Sequence, residues 1–266
     1  MNEPKKKFKI VTDTRARVLL PNTLTLIGVC IGLSSINFAL NQNFKLAIVA
    51  ILFAAIIDGL DGRIARLIKG TSKVGKELDS LTDVISFGVA PAFIMYFWIL
   101  NSLGKIGWLL SLMHVICVAL RLARFNINTN SDSSWRDNFF EGVPSPAGGI
   151  LVLSPLIYDV SGLGILSLNY QFITPIIFIF TSILLISKIP TYSLKKIIVP
   201  RSSTVFLLFG IILLFGLLLI FTFKVLVIGC FIYILAIPAS IIHYKKQKKI
   251  FANDNKYEEE EPEDVL

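Results

Sequence analysis

Four aspartates stand in two short clusters whose spacing is that of a cation site. Asp58 and Asp61 close a long apolar run in Asp58-Gly59-Leu60-Asp61-Gly62-Arg63-Ile64-Ala65-Arg66, and Asp79 and Asp83 follow in Gly75-Lys76-Glu77-Leu78-Asp79-Ser80-Leu81-Thr82-Asp83. Read as helices at about 100° per residue, Asp58, Asp61, Gly62 and Ala65 fall within about 100° of one another, and Asp79 and Asp83 lie one turn apart. A short connection makes the two helices antiparallel neighbours, so the four carboxylates can face one another at one depth. Their repulsion is relieved if hard cations sit between them. Oxygen ligands suit magnesium, manganese or calcium, and no His or Cys stands nearby to suggest zinc. Ionisable residues inside apolar segments are costly, which marks these four as candidates for function.

Small residues surround the acids. Gly62, Ala65 and Gly75 leave room for a bulky ligand beside the metals, and Arg66 on the same rim can clamp a phosphate. Small residues also let membrane helices approach closely, and both readings stay open. Gly28 and Gly32, in Gly-x-x-x-Gly spacing, read as helix packing.

The elements that must carry these residues are long and apolar. Of the 266 residues 54% are hydrophobic and 17% charged, with a mean hydropathy of +0.72, whereas a soluble domain carries about 25% charged residues. Such a composition excludes a disordered chain, a disulfide scaffold and a nucleic-acid-binding domain with one basic face. Cys30, Cys117 and Cys230 are odd in number, far apart and set in apolar runs, which is the placement of packing residues. A helix crosses a bilayer in about 20 apolar residues. Eight segments qualify as spans: 18–40, 46–67, 78–100, 106–125, 146–166, 172–187, 204–223 and 225–243. The fifth and sixth contain Pro155 and Pro175. The expected fold is all-α, a polytopic helix bundle of about eight spans. No cleavable leader is recognised before the first span.

With both ends on one side, 23 of the 26 Lys and Arg residues fall on that side, leaving Lys45, Lys105 and Lys224 opposite. The positive-inside rule then makes both termini and the acidic clusters cytoplasmic. The chain ends in Glu258, Glu259, Glu260, Glu261, Glu263 and Asp264 without apolar partners and reads as a solvated, disordered tail.

The whole pattern Asp58-x2-Asp61-Gly62-x2-Ala65-Arg66-x8-Gly75-x3-Asp79-x3-Asp83 resembles the signature of the CDP-alcohol phosphatidyltransferases, with every fixed position filled. The resemblance implies an integral membrane enzyme that moves a phosphatidyl group from CDP-diacylglycerol to an alcohol and releases CMP, with two magnesium or manganese ions, as a homodimer in the cell membrane. By the same resemblance Asp58, Asp61 and Asp79 are metal ligands, and Asp83 is a shared ligand and the catalytic proton acceptor. Gly62, Ala65, Arg66, Ser72 and Gly75 would contact the CDP-lipid. Asn22 and Thr25, in Pro21-Asn22-Thr23-Leu24-Thr25, resemble the polar wall of the nucleotide site. The organisation implied is a basic arm over 1–17, a transferase region over 18–200, two added spans over 201–244 and a charged tail over 245–266.

Three further segments resemble the phosphatidylserine-forming members of that family: Ser86-Phe87-Gly88-Val89-Ala90-Pro91, Arg121-Leu122-Ala123-Arg124-Phe125-Asn126, and Gly142-Val143-Pro144-Ser145-Pro146-Ala147-Gly148-Gly149; a weaker likeness is Ile189 to Lys196. L-serine is therefore the expected acceptor. Its carboxylate needs a cation such as Arg121 or Arg124, although both also suit ordinary membrane anchors, and Asn126 and Ser145 either orient the zwitterion or cap helices. His114 reads as a packed or interhelical polar residue. Glycerol 3-phosphate or inositol (phosphate) as acceptor, a magnesium-dependent prenyltransferase and an ion-coupled transporter are the competing expectations.

Overall fold

The computed structural model describes residues 14–68, 70, 72–127, 139–164, 169–192 and 204–260. Most of the basic arm, Lys69, Arg136, Lys195, Lys196, Arg201 and residues 261–266 lie outside the described residues. The chain divides into two compact units, 1–122 and 123–266.

In the first unit, α1 (Thr14–Leu40) and α2 (Phe44–Leu67) are joined by a three-residue turn, so they pack side by side as antiparallel neighbours. Asn43 caps α2, its side chain accepting the Leu46 N–H. The buried stripe of α2 is Ala47, Ile48, Ala50, Ile51 and Ala54. This is one helical face, and its three alanines let α1 approach closely. After a short connection α3 (Lys73–Asp83) begins at the N-cap Ser72, whose hydroxyl accepts the Gly75 N–H at 2.9 Å. A π-helical turn (Val84–Val89) then leads into α4 (Ala90–Trp98), which is anchored by the buried Ala90, Ala92, Ile94 and Met95. A 3₁₀ turn (Leu100–Leu103) connects α4 to α5 (Lys105–Ile127).

The second unit contains β1 (Phe139–Glu141), α6 (Ser145–Val152), α7 (Ser154–Ser161), α8 (Tyr170–Ile186), β2 (Pro190–Tyr192), α9 (Thr204–Ile220) and α10 (Thr222–Glu260). β1 and β2 pair antiparallel, with Phe140 opposite Thr191. At the end of β1, Gly142 has φ +76°, and a Cβ there would meet the carbonyls of Ser187, Leu185 and Leu184, so only glycine fits. α10 packs on α7, β2 and α9, and Cys230 lies buried in its core with Val143, Leu151, Leu184 and Ile237.

The helical membrane architecture agrees with the sequence, but several details differ. Among the described residues four helical runs are long and apolar enough to cross a bilayer: Leu19–Leu40, Lys73–Trp98, Lys105–Ile127 and Thr222–Gln247. Two more apolar helices, Tyr170–Ile186 and Thr204–Ile220, are shorter. The expected fifth span is not one helix: α6 ends at Val152 and α7 starts anew with Pro155 in its first turn, because a proline there cannot continue the preceding ladder. α10 runs on to Glu260 where an unstructured tail was expected; its Lys, Glu, Gln and Ala residues are strong helix formers. The paired strands, three residues each, were not anticipated.

The close approach of α5 to the preceding turn gives a test of packing. A Cβ on Gly107 would collide with the Leu100 carbonyl, whereas one on Gly229 in α10 would meet open space. Gly107→Ala is expected to cost about 1–3 kcal/mol of stability, and Gly229→Ala to be neutral or slightly stabilising, as read from thermal unfolding in detergent.

Candidate active site

The C-terminal half of α2 carries Asp58 and Asp61 on the side facing α3, which carries Asp79 and Asp83. Asp58, Asp61 and Asp79 each bring a carboxylate oxygen into a group whose members all lie within 4.8 Å of one another. Asp83 lies beside Asp58 and adds a fourth carboxylate to the group. Three carboxylates this close repel strongly unless a cation lies among them, the more so where little water screens them. Asp61 is only 3% exposed, and its Oδ1 is buried with no hydrogen-bond partner among the described residues. An acceptor atom left in that state suits a metal. The donors are all carboxylate oxygens, the set preferred by hard divalent cations. The residues present therefore fit a metal centre.

The other oxygen of Asp61 is held. Thr25, buried on α1, lies 2.7 Å from Asp61 Oδ2 and donates its hydroxyl hydrogen there, with a longer contact of 3.0 Å to the Pro21 carbonyl one turn back. The sequence pattern pointed to Thr25 as part of a nucleotide wall; in the structure its hydroxyl also reaches a carboxylate of the acidic group. Asn22, one turn earlier, stands beside the start of α3: a Cβ on Gly75 would come within 2.9 Å of Asn22 Oδ1 and 3.0 Å of Ser72 Oγ. Asn22, Ser72 and Gly75 are thus brought together, and a side chain at Gly75 would push Asn22 or Ser72 aside.

Gly62 is different, because a Cβ there would meet nothing within 4 Å. Open space lies beside the acidic group at Gly62, with the half-buried Ala65 one turn along. Arg66 is exposed, and its Nε donates to the Gly62 carbonyl at 3.0 Å. Arg63 is exposed as well.

Immediately after Asp83 the helix widens into the π turn, which is gripped from two helices. On the α1 side, Gly32 faces Ser86 so tightly that a Cβ would come within 2.5 Å of Ser86 Oγ; on the α5 side, Gly88 sits against Val118. His114, fully buried in α5, has Nε2 3.2 Å from the Phe87 carbonyl. The Gly28-x-x-x-Gly32 spacing is accordingly a packing feature, and His114 an interhelical polar contact, as the sequence suggested.

The residues expected to hold an amino acid are distributed between the two units. Arg121 is half-buried in the first. In the second, Arg124 donates from Nη1 to the Ile186 carbonyl at 2.7 Å. That bond satisfies one of the carbonyls that the last turn of α8 leaves without a helical partner. Asn126 is half-buried, and Ser145 is completely buried at the first position of α6.

Comparison with known proteins places this geometry. The chain is 40% identical over 193 residues to the CDP-diacylglycerol–serine O-phosphatidyltransferase of Mycobacterium leprae, a match covering 68% of this chain and 61% of that one. It is 34% identical over 162 residues to the enzyme of the same name from Bacillus subtilis, covering 60% of this chain and 89% of that one. With the archaetidylserine synthase of Methanothermobacter thermautotrophicus it shares 34% identity over 142 residues, 52% of this chain and 57% of the other. The matched region thus spans about six-tenths of the mycobacterial relative's length. Residues 18–186, which include the whole acidic group and its supports on α1, match the CDP-alcohol phosphatidyltransferase family, and the chain belongs to that family.

Proposed function

We propose that the protein transfers a phosphatidyl group from CDP-diacylglycerol to the hydroxyl of L-serine, giving phosphatidylserine and CMP in phospholipid biosynthesis. The observation that carries the reading is the group of Asp58, Asp61 and Asp79 within 4.8 Å, inside the family-matched region and beside the open space at Gly62. The acceptor is supported by the relatives' names. Their lipid portions differ, diacylglycerol in one and archaetidyl in another, while serine recurs.

In this reading Asp58, Asp61, Asp79 and Asp83 hold two magnesium or manganese ions. Bound there, divalent cations supply the positive charge that a diphosphate and its entering and leaving oxygens require. The chain's own work is positioning and proton transfer. Gly62 and Ala65 leave room for the nucleotide, Arg66 turns toward the diphosphate, and Asn22, Thr25, Ser72 and Gly75 bound the nucleotide side. Asp83 accepts the proton of the attacking serine hydroxyl, for which hydrogen-bond reach is the first requirement. Arg121, Arg124, Asn126 and Ser145 receive the serine zwitterion. The reaction belongs to residues 18–200, followed by two added spans over 201–244 and the charged end over 245–266. The 23-to-3 charge split supports eight spans with both termini and the acidic group on the cytoplasmic face of the cell membrane. Homodimeric assembly is carried over from the family resemblance.

Activity should require a divalent cation and fall to background in a chelator. Asp83→Asn keeps the helix and the shape of the side chain but removes the base, so turnover should fall about 10²- to 10⁴-fold with a smaller change in CDP-lipid affinity. Wild-type rates in the chelator would count against the metal, and a fully active Asp83→Asn against that role.

Arg66 and Arg63 lie about 60° apart on α2, but only Arg66 shares the rim of Gly62. Arg66→Ala should weaken CDP-lipid binding about tenfold or more, the loss of a hydrogen bond to a charged group, and Arg63→Ala much less. Equal effects would mean the nucleotide lies on another face.

The acceptor is tested by offering L-serine, glycerol 3-phosphate, inositol, inositol phosphate and choline in turn, each with CDP-diacylglycerol, to the purified full chain and identifying the lipid product by mass spectrometry. Phosphatidylserine alone is the expected outcome. A product from another alcohol with none from serine would overturn the acceptor and leave the metal reading standing.

A further inference from the structure

Pro91 creates a problem that His114 solves. In an α-helix the Phe87 carbonyl would accept the N–H of residue 91, and proline has none. The helix responds by widening: Ala90 N–H bonds the Ile85 carbonyl five residues back, which is the π pattern. Phe87 O then lies 3.2 Å from His114 Nε2 on α5. A carbonyl only accepts, so Nε2 carries a hydrogen and donates.

The π turn also decides where the aspartates point. At about 100° per residue, an unbroken α-helix would put Ala90 and Ile94 within about 20° of the direction of Asp83. Both are 0% exposed, in the core that anchors α4. One extra residue in a turn rotates the helix before it by about 100° relative to the helix after it. Asp79 and Asp83 are thereby taken off the α4 core face.

We propose that His114 is a positioning residue for the acidic site: its bond to the Phe87 carbonyl holds the π turn, and the π turn holds Asp79 and Asp83 in the orientation that meets Asp58 and Asp61. Packing of Gly88 on Val118 supports the turn from the same helix. The inference rests on the metal reading of the aspartates.

The test reads Mn²⁺ binding to the purified full chain in detergent by electron paramagnetic resonance, alongside the CDP-lipid KM and kcat. His114→Leu fills similar space without a donor; His114→Gln places an amide N–H near the position of Nε2. Mn²⁺ affinity and kcat should fall about tenfold in the leucine variant, as for loss of a group orienting a metal ligand, with little change in KM, and the glutamine variant should restore both. A folded His114→Leu that binds Mn²⁺ like the wild type would overturn the proposal, as would a glutamine variant no better than leucine. Should the leucine variant fail to fold, Gly88→Ala displaces the same turn. Its Cβ would lie 3.3 Å from Val118 Cβ, so it should weaken Mn²⁺ binding, and Val118→Ala in the same chain should recover it; normal binding by Gly88→Ala would overturn the proposal. If wild-type Mn²⁺ binding is absent or survives Asp61→Asn, the metal reading itself is wrong and the proposal falls with it.

Discussion

Mutual repulsion of carboxylates in an apolar setting is the constraint around which the first unit is arranged. Asp58, Asp61 and Asp79 come within 4.8 Å, at which separation the repulsion between two ionised carboxylates is comparable to what burial of one or two apolar side chains contributes. The chain tolerates the arrangement because every neighbouring element constrains it. The alanine stripe of α2 brings α1 close enough for Thr25 to reach Asp61, Gly75 lets α3 start against Asn22, and the turn after Asp83 is packed between α1 and α5. Stability is thereby committed to holding acidic groups together, an arrangement that a bound cation would relieve.

Much of this was legible in the sequence because helical periodicity is simple. The spacing of Asp58, Asp61, Asp79 and Asp83, with a connection too short for anything but antiparallel neighbours, was enough to bring the acids together. What escaped depended on contacts between distant segments. Thr25 is 36 residues from Asp61, and nothing local distinguishes a hydroxyl that lines a nucleotide site from one that steers a carboxylate. Phe87 and His114 are 27 apart; Pro91 announces that a carbonyl has lost its donor without saying which side chain replaces it. β1 and β2 are three residues each, too short for an alternating pattern to register. The fifth apolar segment was marked by Pro155, but composition alone did not distinguish a tolerated proline from a helix break.

The same logic separates the arginines. Charge counting treats Arg66, Arg121 and Arg124 alike as anchors on one side of a membrane. In the structure Arg124 donates to the last turn of α8, a capping duty that consumes one of its N–H groups, whereas Arg66 bonds to its own helix through Nε. A guanidinium has five N–H donors, so neither bond exhausts its side chain. Arg66 is held near its helix yet keeps the outer N–H groups of its fork, which suits the diphosphate contact proposed for it.

Asp61 shows how a buried carboxylate is given two functions by its surroundings. Its Oδ2 accepts from Thr25, and its Oδ1 is buried with no hydrogen-bond partner among the described residues. A hydrogen bond on one oxygen fixes the plane of the carboxylate and so aims the other, which is the way outer-shell partners orient metal ligands generally. The Thr25 hydroxyl has one hydrogen, and its shorter contact is to the charged acceptor rather than to the Pro21 carbonyl, as expected because hydrogen bonds to ionised acceptors are the stronger ones. A threonine also has restricted rotamers in a helix, so the donor is itself held in place by α1. The apolar helix that opens the transferase region thus contributes to the acidic site without supplying a charge: it fixes the direction in which a neighbouring charge points.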